Sequence, residues 1–197
     1  MVRLSVAHGG FARMIGGLLA QYIAFEDGVE VNGETVLSIV DGSVMKEKAL
    51  KLLEKHGIIN PAPKQWYSQQ AWLNAFREIA DTIGPRTLHA IGRKIPENAV
   101  FPPTINSVQE ALAAIDAAFH MNHRNGEIGH YTFEAAGEQA VRMTCNNPYP
   151  CDFDRGIIEA MAMRFLPEDS ILVTVEHDLD SGCRKLGDEA CIYRVTW

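Results

Sequence analysis

The sequence predicts an α+β chain: N-terminal helices and a short β-ribbon, then an antiparallel sheet (β-β-α-β-β) packed by helices around an apolar cavity. Three observations carry this. Apolar residues recur every three or four positions in successive stretches up to Met121, the period of a buried helix face. From Ile128 the period drops to two, as in half-buried strands. Between the two strand pairs, Cys151 to Phe165 returns to a helical pattern. A chain of 197 residues is most simply one domain, large enough to bury a core without staples.

The first helix is expected after Gly9-Gly10, where Phe11, Met14, Ile15, Leu18, Leu19 and Tyr22 make one face. Gly16-Gly17 lowers its helix propensity unless another backbone packs closely there, which suits a homodimer contact. Val29 to Val40 divides around Asn32-Gly33, a dipeptide that favours a type I′ turn, so a two-stranded ribbon is expected. Residues 1–60 thus read as a helical arm with a hairpin. Ser43 is placed to cap a helix with Met45, Ala49, Leu52 and Leu53 inward and Gly57 as its stop.

Pro61 and Pro63 mark a connector. Ser68 caps the next helix, with Trp72, Phe76 and Ile79 on one side, and Gly84-Pro85 ends it and opens another that runs to Arg93. Pro96, Pro102 and Pro103 mark a second connector. Ser107 opens the most helical stretch, to Met121, with Val108, Leu112, Ile115 and Phe119 inward. Ile128 to Ala135 and Gln139 to Cys145 form a hairpin about Gly137; Ile171 to Val175 and Ile192 to Trp197 form the last one.

The net charge of -7 leaves no basic stripe, so nucleic-acid binding by this chain alone is not expected. Met1 to Phe25 lacks the pattern of a secretory signal, and the apolar run from Phe11 to Phe25 is interrupted by Arg13 and Gln21 and short for a bilayer. The expectation is a cytoplasmic protein without a membrane span. In that reducing compartment, cysteines point to metal or core use rather than structural disulfides.

All four cysteines fall in the last part of the chain, at 145, 151, 183 and 191. Cys183 and Cys191 flank Gly187-Asp188, a turn that lets both sulfurs converge, and Cys151 at the start of the preceding helix is a third candidate ligand. The spacing is not that of a C-x-x-C knuckle. Asp180 is the first choice for the fourth position, with His177, Glu176 and Cys145 as alternatives. Cys145 shares a strand face with Val141 and Met143, where a small core residue is the simpler reading. His120 and His123 end a helix, where cationic groups complement its dipole. With His130 they are the residues an enzymatic reading would rest on. No G-x-S-x-G elbow, P-loop, dinucleotide fingerprint or H-E-x-x-H is present, so the sequence makes no positive case for an enzyme.

The stretch Cys183-Arg184-Lys185-Leu186-Gly187-Asp188-Glu189-Ala190-Cys191-Ile192-Tyr193, with Cys151 and Gly156 upstream, resembles the C-terminal signature of the 4-vinyl-reductase-like domain family. The resemblance covers residues 126–197, the core of such a domain. This family is similar to the sensory domains of aromatic-responsive bacterial activators and, more distantly, to haem NO-binding domains and TRAPP subunits. The resemblance implies a structural zinc held by Cys151, Cys183, Cys191 and an acid, which is Asp180 here. It also implies a sensor or carrier for a small hydrophobic molecule. The haem-binding relatives use a Y-x-S-x-R motif that this chain lacks, so haem is not expected. Candidate cavity walls are Trp66, Trp72, Phe76, Phe101 and Phe119, with Tyr131, Phe133, Met143 and Tyr149 on the strand side and the turn after it. Action on a tetrapyrrole-like substrate and a TRAPP-type scaffold role are the alternatives. Any signal would pass to an output partner protein, because the chain carries no DNA-binding segment.

Overall fold

The computed structural model describes residues 21–197. The expected first helix and its Gly16-Gly17 dimer contact lie outside the described residues. Two antiparallel sheets and six helices make up the rest, in agreement with the α+β reading. The smaller sheet joins β1 (Glu30–Asn32), β2 (Trp66–Ser68) and β3 (His123–Arg124), with β1 in the middle.

Asn32-Gly33 does not turn a hairpin. Asn32 caps α1 (Gly33–Gly42), accepting from the backbone N–H of Thr35 at 3.0 Å, and its own amide donates to Asn122 at 2.6 Å. Val36 and Ile39 recur at helical spacing and are fully buried, so the period of three outweighs the turn dipeptide. The expected ribbon therefore forms between β1 and strands far along the chain.

The helix α2 (Lys46–Lys55) follows Ser43 as expected, although Ser43 bonds Met45 rather than capping the first turn directly. Ser68 caps α3 (Gln69–Thr82) and Ser107 caps α5 (Val108–Met121), each accepting from the backbone N–H three residues on. The helix α4 (Arg86–Asn98) runs past Arg93 and through Pro96, which was expected in a connector. Proline cannot donate to the carbonyl four residues back, but the helix ends within two residues and Arg164 takes up the Pro96 carbonyl at 2.7 Å.

The larger sheet has the order β4-β5-β7-β6, built from β4 (His130–Gly137), β5 (Ala140–Asn146), β6 (Thr174–His177) and β7 (Cys191–Thr196). Its core face carries Val141, Met143 and Cys145 on β5 and Cys191, Tyr193 and Val195 on β7, all buried. Ile171 and Leu172, expected to begin β6, lie exposed before it. Between β5 and β6 runs α6 (Cys151–Arg164), which crosses α4 closely. A methyl group on Gly92 would run into the Phe153 carbonyl oxygen, and one on Gly156 into the His89 carbonyl oxygen. Two glycines thus let the backbones touch and fix where α6 begins. Gly156→Ala is expected to cost about 1–3 kcal/mol of folding stability through overpacking, read as a lower urea midpoint.

Candidate functional site

The first residue of α6 is Cys151, which follows Pro150 and sits where helix N–H groups favour a thiolate. The β6–β7 connection brings the other sulfurs to it. Asp188 accepts from the Cys183 backbone N–H at 2.8 Å, folding that loop back on itself, and Cys191 opens β7. Cys151 Sγ lies 3.7 Å from Cys183 Sγ and 3.4 Å from Cys191 Sγ. No disulfide links them.

The fourth group is His177, the last residue of β6. Ligand atoms of Cys151, His177, Cys183 and Cys191 all lie within 4.8 Å of one another. The His177 ring stacks on Tyr193 at 4.6 Å and 23°, and Tyr193 donates its hydroxyl to the Cys151 carbonyl at 2.8 Å. Its Nε2 is buried without a hydrogen-bond partner. Asp180, the first choice from sequence, is exposed and stands outside this group, as does Glu176. Cys145 is buried opposite Cys191 in the β5–β7 register and also stands outside it. Strand alternation explains the exchange: β6 extends to His177, so Val175 and His177 share a face and Glu176 points out.

The electrostatics show a site short of positive charge. Cys151 is held down to about 5, first by the hydrogen bond from Cys191, with the Gln21 amide at 2.8 Å helping. Cys191 is raised by that same bond, and burial raises Cys183. The three thiols are thus coupled, with the thiolate favoured at Cys151 over its two neighbours. A tetrahedral metal with bonds of about 2.3 Å spaces thiolates about 3.8 Å apart, close to the separations found.

A second buried network joins this cluster to the core. Asp154, one turn along α6, accepts the Tyr131 hydroxyl at 2.6 Å and the Asn147 amide at 3.4 Å. Burial in the main raises its pKa to about 8. Arg184, next to Cys183, is buried and donates to the Tyr149 carbonyl at 3.4 Å.

Tyr131 and Tyr149 border a small, half-open apolar space of about 30 Å³ among α1, α3, α4, α5 and α6. Trp72, Phe101, Phe119, Tyr131 and Tyr149 border it. Phe76 packs behind Trp72 at 4.6 Å, whereas Trp66, Phe133 and Met143 do not border the space. The sequence reading did not name Thr35, Asn122, His123 or Phe153 as wall residues.

His123 donates Nδ1–H to the Phe119 carbonyl at 2.8 Å and accepts the Tyr149 hydroxyl on Nε2 at 2.6 Å. Burial lowers its pKa from 6.5 to about 4, so it is neutral. Tyr149 in turn accepts from Gln69 at 3.1 Å. Two polar atoms of the lining residues, Thr35 Oγ1 and Trp72 Nε1, are buried with no partner. The sequence marked His123 only by its place at a helix end and as one of three histidines an enzymatic reading would rest on.

No family model matches the sequence, and no curated protein matches it. Solved structures do share its fold. An H-NOX protein from S. oneidensis in the Fe(II)NO ligation state superposes with a TM-score of 0.59 at 12% identity, covering 82% of this chain and 97% of that one. A mutant of T. tengcongensis H-NOX gives 0.55 at 14%, covering 83% and 93%. A structure solved in work on heme redox potential and protein-induced porphyrin distortion gives 0.57 at 14%, covering 84% and 97%. At these identities the likeness establishes the fold.

The expectation against haem is thereby overturned. It rested on the missing Y-x-S-x-R motif, yet the chain takes the fold of proteins described by their heme and Fe(II) states. In this arrangement His123 offers a neutral imidazole, but Tyr149 holds its Nε2 and the free space is about 30 Å³. A space of about 30 Å³ does not hold a macrocycle. The described residues do not make that room.

The buried histidine sets an acid limit on stability. The unfolded chain takes up a proton near pH 6.5 and the folded chain only near 4. Its contribution is complete above pH 6.5 and falls as pH drops toward 4, by about 2 kcal/mol at pH 5. Urea unfolding of wild type and His123→Gln at pH 7 and pH 5 should show a pH loss smaller in the variant by about that amount.

Proposed function

We propose that this chain is a small-molecule-binding sensor domain on the H-NOX fold, with a structural zinc ion that clamps its last hairpin to α6. The observation that carries the ligand reading is the apolar cavity itself, two of whose lining residues, Trp72 and Thr35, hold side-chain polar atoms buried without a partner. Leaving a buried donor unmet costs about 1–3 kcal/mol, which an acceptor on a bound molecule recovers. The ligand is therefore small and mainly apolar with one polar end. At rest the space suits one or two water-sized groups, since a water needs about 10–15 Å³. Larger ligands enter by displacing aromatic rings.

The zinc reading rests on three thiols and the unpartnered Nε2 of His177 in one cluster. Cys₃His is a closed structural set with no open position for chemistry. When bound, the ion joins α6, β6, β7 and the loop between them. Arg184 and Asp154 then link that clamp to Tyr131 and Tyr149 on the cavity, a route by which occupancy could reach an output partner. The resemblance to the 4-vinyl-reductase-like family supports the same three cysteines as ligands.

One feature favours a second reading. The cavity is almost filled, and Ile171 and Leu172 are exposed at 96% and 67%, as on a subunit that docks a partner through an apolar edge. A titration separates the two. The metal-loaded chain is mixed with phenol, indole or haemin while the Trp72 indole N–H is followed by NMR and haemin by its absorption. A saturable response to at least one probe, with phenol and indole bound at least about tenfold more weakly by Trp72→Phe in calorimetry, supports the sensor reading. Silence with all three would leave the docking role as the better account.

A further inference from the structure

Apart from the thiols, α5 and β4 bring together a second set of metal-ligating side chains. Asp116 and His120 lie one helical turn apart on α5, and His130 begins β4. Their ligand atoms all lie within 4.8 Å of one another. His130 Nδ1 is 3.3 Å from Asp116 Oδ1, and the two imidazole rings are 5.0 Å apart. We propose that Asp116, His120 and His130 form a solvent-facing site for one divalent ion of the zinc or nickel class, which ties α5 to β4.

Backbone groups already hold two of these three side chains, each through one atom. His120 donates Nδ1–H to the Asp116 backbone carbonyl at 2.9 Å, which leaves Nε2 as the nitrogen with a lone pair. Asp116 Oδ1 accepts the Tyr131 backbone N–H at 2.8 Å, which leaves its second oxygen available. Metal-bound imidazoles and carboxylates are commonly held this way by their far atoms. Two nitrogens and one oxygen select a borderline transition ion over Ca²⁺ or Mg²⁺, which take oxygen ligands. The donor set also differs from the soft thiolates, so the two sites need not compete for the same ion.

All three side chains reach solvent, at 34% for Asp116, 43% for His120 and 59% for His130. With three protein ligands, a tetrahedral ion keeps a position open to water, which makes this a reversible site. Phe119 and Tyr131, the immediate neighbours of His120 and His130, meet edge to face at 5.2 Å and both wall the cavity. An ion here therefore fixes two cavity walls to each other. The proposal stands without the thiol centre and without any cavity ligand.

The test uses the full chain with histidines labelled at the ring carbons, first supplied with enough Zn²⁺ to satisfy the thiols and then titrated with Zn²⁺ or Ni²⁺. The His120 and His130 ring signals should respond together and saturate at one further equivalent. Exchange of the Tyr131 amide hydrogen should slow in the same step. Asp116→Asn, His120→Ala and His130→Ala should each weaken the step by at least about tenfold, while the remaining amide spectrum stays in place. The proposal is overturned if these two rings ignore the further equivalent, if all seven histidines respond alike, or if the three variants bind as tightly as wild type.

Discussion

Three sulfurs and an imidazole meet inside the protein, and together they hold more negative and lone-pair character than the surrounding groups satisfy. Cys151 keeps its charge by taking hydrogen bonds from Cys191 and Gln21, while His177 Nε2 has no partner. A cation resolves both at once, because binding releases the thiol protons and fills the empty valence of the imidazole. The last hairpin depends on this meeting. Its loop is also anchored by the Asp188 carboxylate on the Cys183 N–H, the Asp178 N–H on the Ile192 carbonyl, the Asp178–Arg194 ion pair and buried Arg184.

The placement of the cluster follows from the α4–α6 crossing. Gly92 and Gly156 allow contact of backbone on backbone, and this sets the start of α6 against the end of the sheet where β6 finishes and β7 begins. The same crossing places Phe153 against Trp72 and Tyr149, closing the aromatic wall of the cavity. Thiol cluster and cavity thus share the first turns of one helix, with Asp154 between them bonded to Tyr131. An event at either has a short path of packed, hydrogen-bonded groups to the other.

Much of this was legible in the residues. Serines at 68 and 107, the change of period after Met121 and the clustering of cysteines each report a local physical requirement, and local requirements survive folding. Asn32-Gly33 misled because a turn preference of two residues competes with a helical face of Val36 and Ile39, and distant strands decided the outcome. Pro96 misled because its cost is small so near a helix end. His177 ranked behind Asp180 because β6 begins and ends later along the chain than expected, which moves which residues face inward. The neutral His123 and the orphaned Trp72 and Thr35 atoms depend on contacts between α1, α3, α5 and the turn before α6, and no spacing in the sequence encodes them.

The central claim is most directly tested by metal content and X-ray absorption on protein purified without chelator and without a metal-affinity tag. The account predicts about one zinc per chain with a shell of three sulfurs at about 2.3 Å and one nitrogen at about 2.0 Å. Absence of stoichiometric metal after supplying Zn²⁺ under reducing conditions, or a shell of oxygens without sulfur, would contradict it.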